Sequence, residues 1–341
     1  MMTTLRDIQI VGYHDIVTGL STTGPEYNWT DDLYEKWTDD FDWYFVQDKI
    51  NEPSHYIGEF EAVQIHFRHS RSKTANAIPL LLIHWWPAVF YEFSRVWGPM
   101  LHPVNENEQA LHVVVPSVPG FCCSNWPPKA GWTLQDTVRL FDSVMKKLGY
   151  NEYMVQCGGT RHFVGRELGM RCTPSCKLIH FNFIPSEMPN NAKSWTEREH
   201  AIAERKEDRI GLHDKILIMP STRCFSENLP NEEFVEFTTD FCSSSLKVRF
   251  GYSSFLGDTE HSSKRMVEMT GKVVYYQGST HPPPPPPPPF YLFHYELVRL
   301  MRGLEHDNGG HFAALECPGE LVQDVRELAA QELEEVAYII D

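Results

Sequence analysis

The feature that most constrains this chain is an alternation of short apolar runs with amphipathic stretches across its first half. Ile78 to Trp86 (IPLLLIHWW) is a continuous apolar run with a proline at its start and another just beyond its end. That pattern suits a buried parallel strand. Val89 to Leu101 then reads as a helix. Leu111 to Val115 is a second buried strand, closed by Pro116-Ser117-Val118-Pro119-Gly120. Thr133 to Leu148 is an amphipathic helix with Thr133 as its N-cap. Tyr153 to Cys157 is a third strand, ending at Gly158-Gly159 and followed by a helical pattern to Gly169. Leu178 to Phe183 is a fourth. Strands that alternate with helices in this way predict a parallel α/β sheet.

The alternation breaks near Pro185. From there to about Tyr252 the chain is charged and helix-like, interrupted by Pro220 and Pro230. Strand character resumes at Lys272 to Tyr276, and Pro318 to Val336 reads as a final helix. A block inserted between two halves of a sheet predicts a lid over the carboxyl edge of the strands, where open α/β sheets bind ligands. Upstream, Asp31 to Asn51 reads as one or two short helices and Ala62 to Arg68 as a strand. Pro282 to Pro289 is an unbroken proline run. It cannot be helix and should form a short polyproline II rod at the surface, read here as low-complexity sequence in a loop.

Charge narrows the function classes. With 30 Lys and Arg against 46 Asp and Glu the net charge is -16, which excludes a basic nucleic-acid footprint and disfavours anionic membrane surfaces. No apolar stretch is long enough for a transmembrane segment, and the first residues lack the pattern of a secretory signal. The eight cysteines show no paired C-x2-C framework and no spacing suited to zinc. Reduced thiols and a cytoplasmic setting are the expectation, and the sequon Asn28-Trp29-Thr30 carries little weight.

Three segments hold the candidate chemistry. His84-Trp85-Trp86-Pro87 follows the first buried strand, where an α/β-hydrolase places one backbone N–H of its oxyanion hole. Gly158-Gly159-Thr160-Arg161-His162 is a strand-to-helix turn at the place of a nucleophile elbow. Asp307 to Ala314 (DNGGHFAA) carries a glycine-flanked His311 shortly before the last helix. Nucleophile first and histidine last is the chain order of this fold.

With these segments in view, the chain resembles the microsomal-type (juvenile-hormone-type) epoxide hydrolases with their N-terminal extension. The segments that carry the resemblance are FDWYFVQDKIN, AVQIHFRHSRS, IPLLLIHWWPAVFYEF, HVVVPSVPGFCCS, GWTLQDTVRLFDSVMKKLGY, GGTRHFVGRELG, HFNF and GGHFAALECPGELVQDVREL. They span roughly residues 31 to 183 and 305 to 333; the stretch between matches only in fragments. The resemblance implies an α/β-hydrolase fold with a reduced helical lid, divided as an extension (1–75), a first core half (76–188), a lid (189–255) and a second core half (256–341). It also implies that an aspartate opens a lipophilic epoxide to an ester, that a histidine activates water to hydrolyse it, that an acid orients the histidine, and that lid tyrosines hydrogen-bond the epoxide oxygen. No metal or organic cofactor is implied. Partners would be a small lipophilic substrate or ligand and, in a homodimer, a second copy.

Mapped residue by residue, His311 takes the general base position. Thr160 stands where the family carries the nucleophilic aspartate, in an elbow that reads GGDWG there and GGTRH here. A threonine hydroxyl is neutral at pH 7, and its β-branch suits a strained elbow poorly. His162 replaces a glycine. The family's HGWP is HWWP here, so Trp85 replaces a small residue beside the oxyanion hole. Trp85, Trp86 and Arg161 are the expected pocket residues, Tyr252 the lid proton donor, and Glu296 the acid, with Asp307 close by in sequence. Tyr275 and Tyr276 read as core strand residues, and Cys157 as a buried inert thiol. Three readings stay open: hydrolysis by His311 through direct water attack, a catalytically inactive relative that binds an apolar ligand or catalyses a rearrangement, and a chain altered by misjoined exons.

Overall fold

The computed structural model describes residues 32–85, 88–105, 107–128, 131–203, 244–255, 262–277 and 310–337. It contains two compact units, of which residues 32–52 are the described part of the first. There a π-type turn, Lys36–Asp40, precedes helix α1, Trp43–Asn51. Asp42 caps α1 by accepting hydrogen bonds from the N–H groups of Tyr44 and Phe45, two of the donors a helix start leaves unpaired.

The second unit is built on an eight-stranded sheet: β1 His55–Phe60, β2 Val63–Ser70, β3 Ile78–Ile83, β4 Leu111–Pro116, β5 Tyr153–Cys157, β6 Cys176–Phe181, β7 Arg249–Ser253 and β8 Val273–Gln277. The spatial order is β1-β2-β4-β3-β5-β6-β7-β8. β2 pairs antiparallel with both β1 and β4, and every other pair is parallel. This is the mostly parallel α/β sheet that the alternation predicts, and its order fits the α/β-hydrolase fold that the resemblance implies. Its helices are α2 Trp97–Leu101, α3 Leu134–Lys147, α4 His162–Arg171, α5 Lys264–Glu268, α6 Ala313–Glu316 and α7 Pro318–Ala337.

The two-residue period of the strands sorts the core into two faces. Leu81, Val155, Ile179 and Phe250 pair in register across β3, β5, β6 and β7. Their side chains join one buried cluster with Val138, Phe141 and Val144 of α3 and Val164 and Leu168 of α4. Leu80, Leu82 and Met154 are equally buried outside that cluster. α7 packs against β6, β7 and β8 through its own buried stripe, Leu321, Val325 and Leu328. α3 starts on a full capping box: Thr133 Oγ1 accepts from the Asp136 N–H while the Asp136 carboxylate accepts from the Thr133 N–H.

Two strands depart from the sequence reading. β1 carries little apolar signal because it is an edge strand whose side chains face mostly outward. β7 lies within the span assigned to the lid. It is five residues long, yet it is enclosed by parallel neighbours on both sides and mostly buried. The sheet therefore also takes in residues from the 1–75 and 189–255 segments. Most of the expected lid, and the Pro282 to Pro289 run, lie outside the described residues.

Candidate active site

The carboxyl ends of β3, β4 and β5 converge with the turn that precedes α6. β3 stops at Ile83, so His84 and Trp85 begin a loop rather than extend the strand. His84 is buried, and its Nε2 accepts the Val118 N–H at 3.1 Å while its Nδ1 lies 3.2 Å from the Trp85 carbonyl. Burial, reinforced by the Arg161 charge, pushes it down to about 3. It is a neutral clasp between the loops after β3 and β4.

The turn after β5 demands glycine twice. Gly158 lies against the Asn182 side-chain amide, where a Cβ would collide. Gly159 has φ +51, and a Cβ there would overlap the Trp85 indole. Gly159–Arg161, with Thr160 in the middle, form one turn of 3-10 helix leading into α4. The Arg161 N–H, which follows the nucleophile position, donates to the Gly158 carbonyl at 3.0 Å. The Trp85 N–H donates to Glu92 Oε2 at 3.0 Å. Both backbone donors thus have acceptors within the chain. Glu92 is half-buried, and desolvation pushes its carboxyl up to about 7.

His311 is buried on the turn before α6. Its ring meets the Trp85 indole edge-on with centroids 3.7 Å apart, and Phe183 stands 5.7 Å away on another side. Trp85 also tilts against Phe312 at 5.2 Å. The indole therefore touches both Gly159 and His311. Its Nε1 is buried with no hydrogen-bond partner among the described residues.

The structure brings Trp85 against both His311 and the Gly159 end of the Thr160 turn. Arg161 is buried with its guanidinium over Phe121 at 4.9 Å. His162 is buried at the start of α4 between Phe163 and Phe183, and burial, with Arg166 nearby, pushes it down to about 3. Tyr252 is corrected. It belongs to β7 and not to a lid, with no exposed surface, paired in register with Phe181 and Tyr276. Tyr275 and Tyr276 lie on β8 as expected. Cys157 is buried, and burial raises its thiol well above the usual range. Trp86, Glu296 and Asp307 lie outside the described residues. Glu92 was missed; its signal was an acid inside an otherwise aromatic run, FYEF. With β7 placed, the first acid beyond its end in sequence is Asp258, also outside the described residues. Among the described residues no cluster of three or more His, Cys, Asp or Glu could hold a metal.

Comparison with known proteins agrees with this architecture. The family model described as Epoxide hydrolase N terminus matches residues 4–93. A putative epoxide hydrolase of Stigmatella aurantiaca is 32% identical over 178 residues, covering 50% of this chain and 40% of that protein. One of Dothistroma septosporum is 29% identical over 209 residues, 58% of this chain and 50% of its own length. The chain thus spans half or less of the length of these curated relatives. Among solved structures, an enantioselective mutant of the Aspergillus niger epoxide hydrolase aligns with TM-score 0.74 and 25% identity, over 97% of this chain and 92% of that one. The juvenile hormone epoxide hydrolase of Bombyx mori aligns with TM-score 0.69 at 16% identity, over 97% and 90%, a likeness of fold. Among the described residues no helix is long and apolar enough to cross a membrane.

Proposed function

We propose that this chain, an epoxide hydrolase-like member of the α/β-hydrolase superfamily, is a catalytically altered relative that does not open epoxides through a covalent ester. The observation that carries this reading is the Trp85 indole, seated over Gly159 and edge-on to His311. Nucleophile, epoxide carbon and base would have to meet in the volume it fills. The residues support the same conclusion chemically. Attack on an epoxide carbon needs a ready anion, and Thr160 offers a neutral hydroxyl that must first lose its proton. The two oxyanion-type donors on hand, the N–H groups of Trp85 and Arg161, are already bound to Glu92 and Gly158.

A second reading is favoured by one observation, the retained place of His311 on the turn before α6. It is hydrolysis by direct water attack, with His311 as general base and Asp258 as the orienting acid in the chain order of this fold. Diol formation from aryl and aliphatic epoxides separates the two. The natural chain is expected to be silent. Thr160→Asp alone is expected to stay silent because the indole still fills the site, and Thr160→Asp with Trp85→Gly is expected to turn over. Turnover by the natural chain that disappears in His311→Ala would establish the second reading and overturn the first.

A further inference from the structure

We propose that Cys122 and Cys123 form a reversible redox site that closes to a vicinal disulfide by exchange with a small-molecule disulfide. Both residues are exposed, and their sulfurs lie 3.5 Å apart. They sit on the turn after β4, which is tied down at both ends. The Gly120 N–H donates to the Asn125 carbonyl at 2.9 Å, the Ser124 N–H to the Phe121 carbonyl at 3.0 Å, and the Asn125 N–H to the Gln64 carbonyl at 2.9 Å. Within that frame Cys122 has φ +48, a left-handed conformation that a non-glycine residue adopts at a cost. The turn therefore already holds the backbone in an unusual shape while presenting both sulfurs on one side.

Adjacent Cα atoms are only about 3.8 Å apart, below the usual disulfide range of about 4.4–6.8 Å. A ring closed here is strained, and strained exposed disulfides are the easily reduced, regulatory kind. Burial, then the hydrogen bond and charge of neighbouring Cys123, push Cys122 up to about 11. Exchange opens when one of the two exposed thiols, such as Cys123, loses its proton and attacks. Its thiolate displaces one half of the small disulfide, which leaves and takes up the proton that Cys123 lost. Cys122 then loses its proton and attacks the Cys123 sulfur, expelling the second small thiol. Two protein thiols have lost two hydrogens, and the small disulfide has gained them as two thiols. The turn also carries Phe121, whose ring meets His84 edge-on at 5.9 Å and lies under Arg161.

The test is treatment of the full chain with oxidised glutathione, followed by mass mapping of the peptide that holds both cysteines. The expected result is a loss of two hydrogens, about 2 Da, in that peptide, reversed by dithiothreitol. In Cys122→Ser, Cys123 is expected to keep a glutathione adduct, because no resolving thiol remains. A lasting glutathione adduct in the natural chain, unmodified thiols, or a crosslink to a different cysteine would each overturn the proposal.

Discussion

Two buried polar regions of this protein are completed in different ways. Against α7, the Tyr275 hydroxyl meets Asp324 Oδ1 at 2.8 Å and Glu327 Oε2 at 3.2 Å, and the same Asp324 accepts a bond from Ser253. Ser253 Oγ in turn lies 2.9 Å from His180 Nε2, which ties β6, β7, β8 and α7 into one hydrogen-bonded chain. Around Trp85, by contrast, backbone donors are taken up by acceptors of their own loops while the indole N–H has none. The first region is polar because the fold uses it. The second leaves a buried indole donor unmatched among the described residues.

The largest effect should come from breaking the first region. Asp324→Ala leaves Tyr275 and Ser253 without their shared acceptor, and urea unfolding should register a loss of about 3 kcal/mol. A loss below about 1 kcal/mol would mean the chain of bonds contributes little.

Next is Glu92, whose charge belongs to the second region. Its carboxyl is raised from 4.5 to about 7 in the folded protein, so the native state holds this proton more tightly than the unfolded chain. Stability from this group is full below pH 4.5 and falls as pH rises to about 7. Glu92→Gln keeps an acceptor for the Trp85 N–H without the charge. It should be more stable than the natural chain by about 2 kcal/mol at pH 8 and equal to it near pH 4.5, by thermal melts at both. His84, His162 and His180, each lowered to about 3, act with the opposite sign and lose stability as pH falls below 6.5. They are the same in both chains and cancel in the difference. A variant that is less stable at pH 8 would contradict the assignment.

The smallest pair sharpens the comparison most. Tyr275→Phe removes a hydroxyl bonded to Asp324, whereas Trp85→Phe removes an orphaned N–H together with part of a packed ring. The first should cost about 1 kcal/mol and the second close to nothing, because removal of the orphaned donor offsets the packing that is lost. A cost for Trp85→Phe as large as that for Tyr275→Phe in denaturant melts would erase the distinction between the regions.

What was legible in the sequence follows the same division. Tyr153–Cys157 and the Thr133-capped helix were readable because continuous apolar runs and capping residues are local signals. β7 was not, because Arg249-Phe-Gly-Tyr-Ser is short, and its strand character comes from neighbours distant in sequence. Tyr252 was misassigned for that reason. In the site, His311 and the Thr160 turn were readable from their glycine-flanked settings. The contact of Trp85 with His311 was not, since no pattern links residues so far apart in sequence, and the burial of Glu92 was hidden for the same reason.

The position of the indole over Gly159 also has an evolutionary consequence. On the proposed reading, restoring a carboxylate at Thr160 and clearing Trp85 are each without benefit while the other is missing. The two substitutions would then be epistatic, and a path to hydrolysis would cross a flat stretch on which selection has nothing to act. A library of single substitutions screened for diol formation would come up empty.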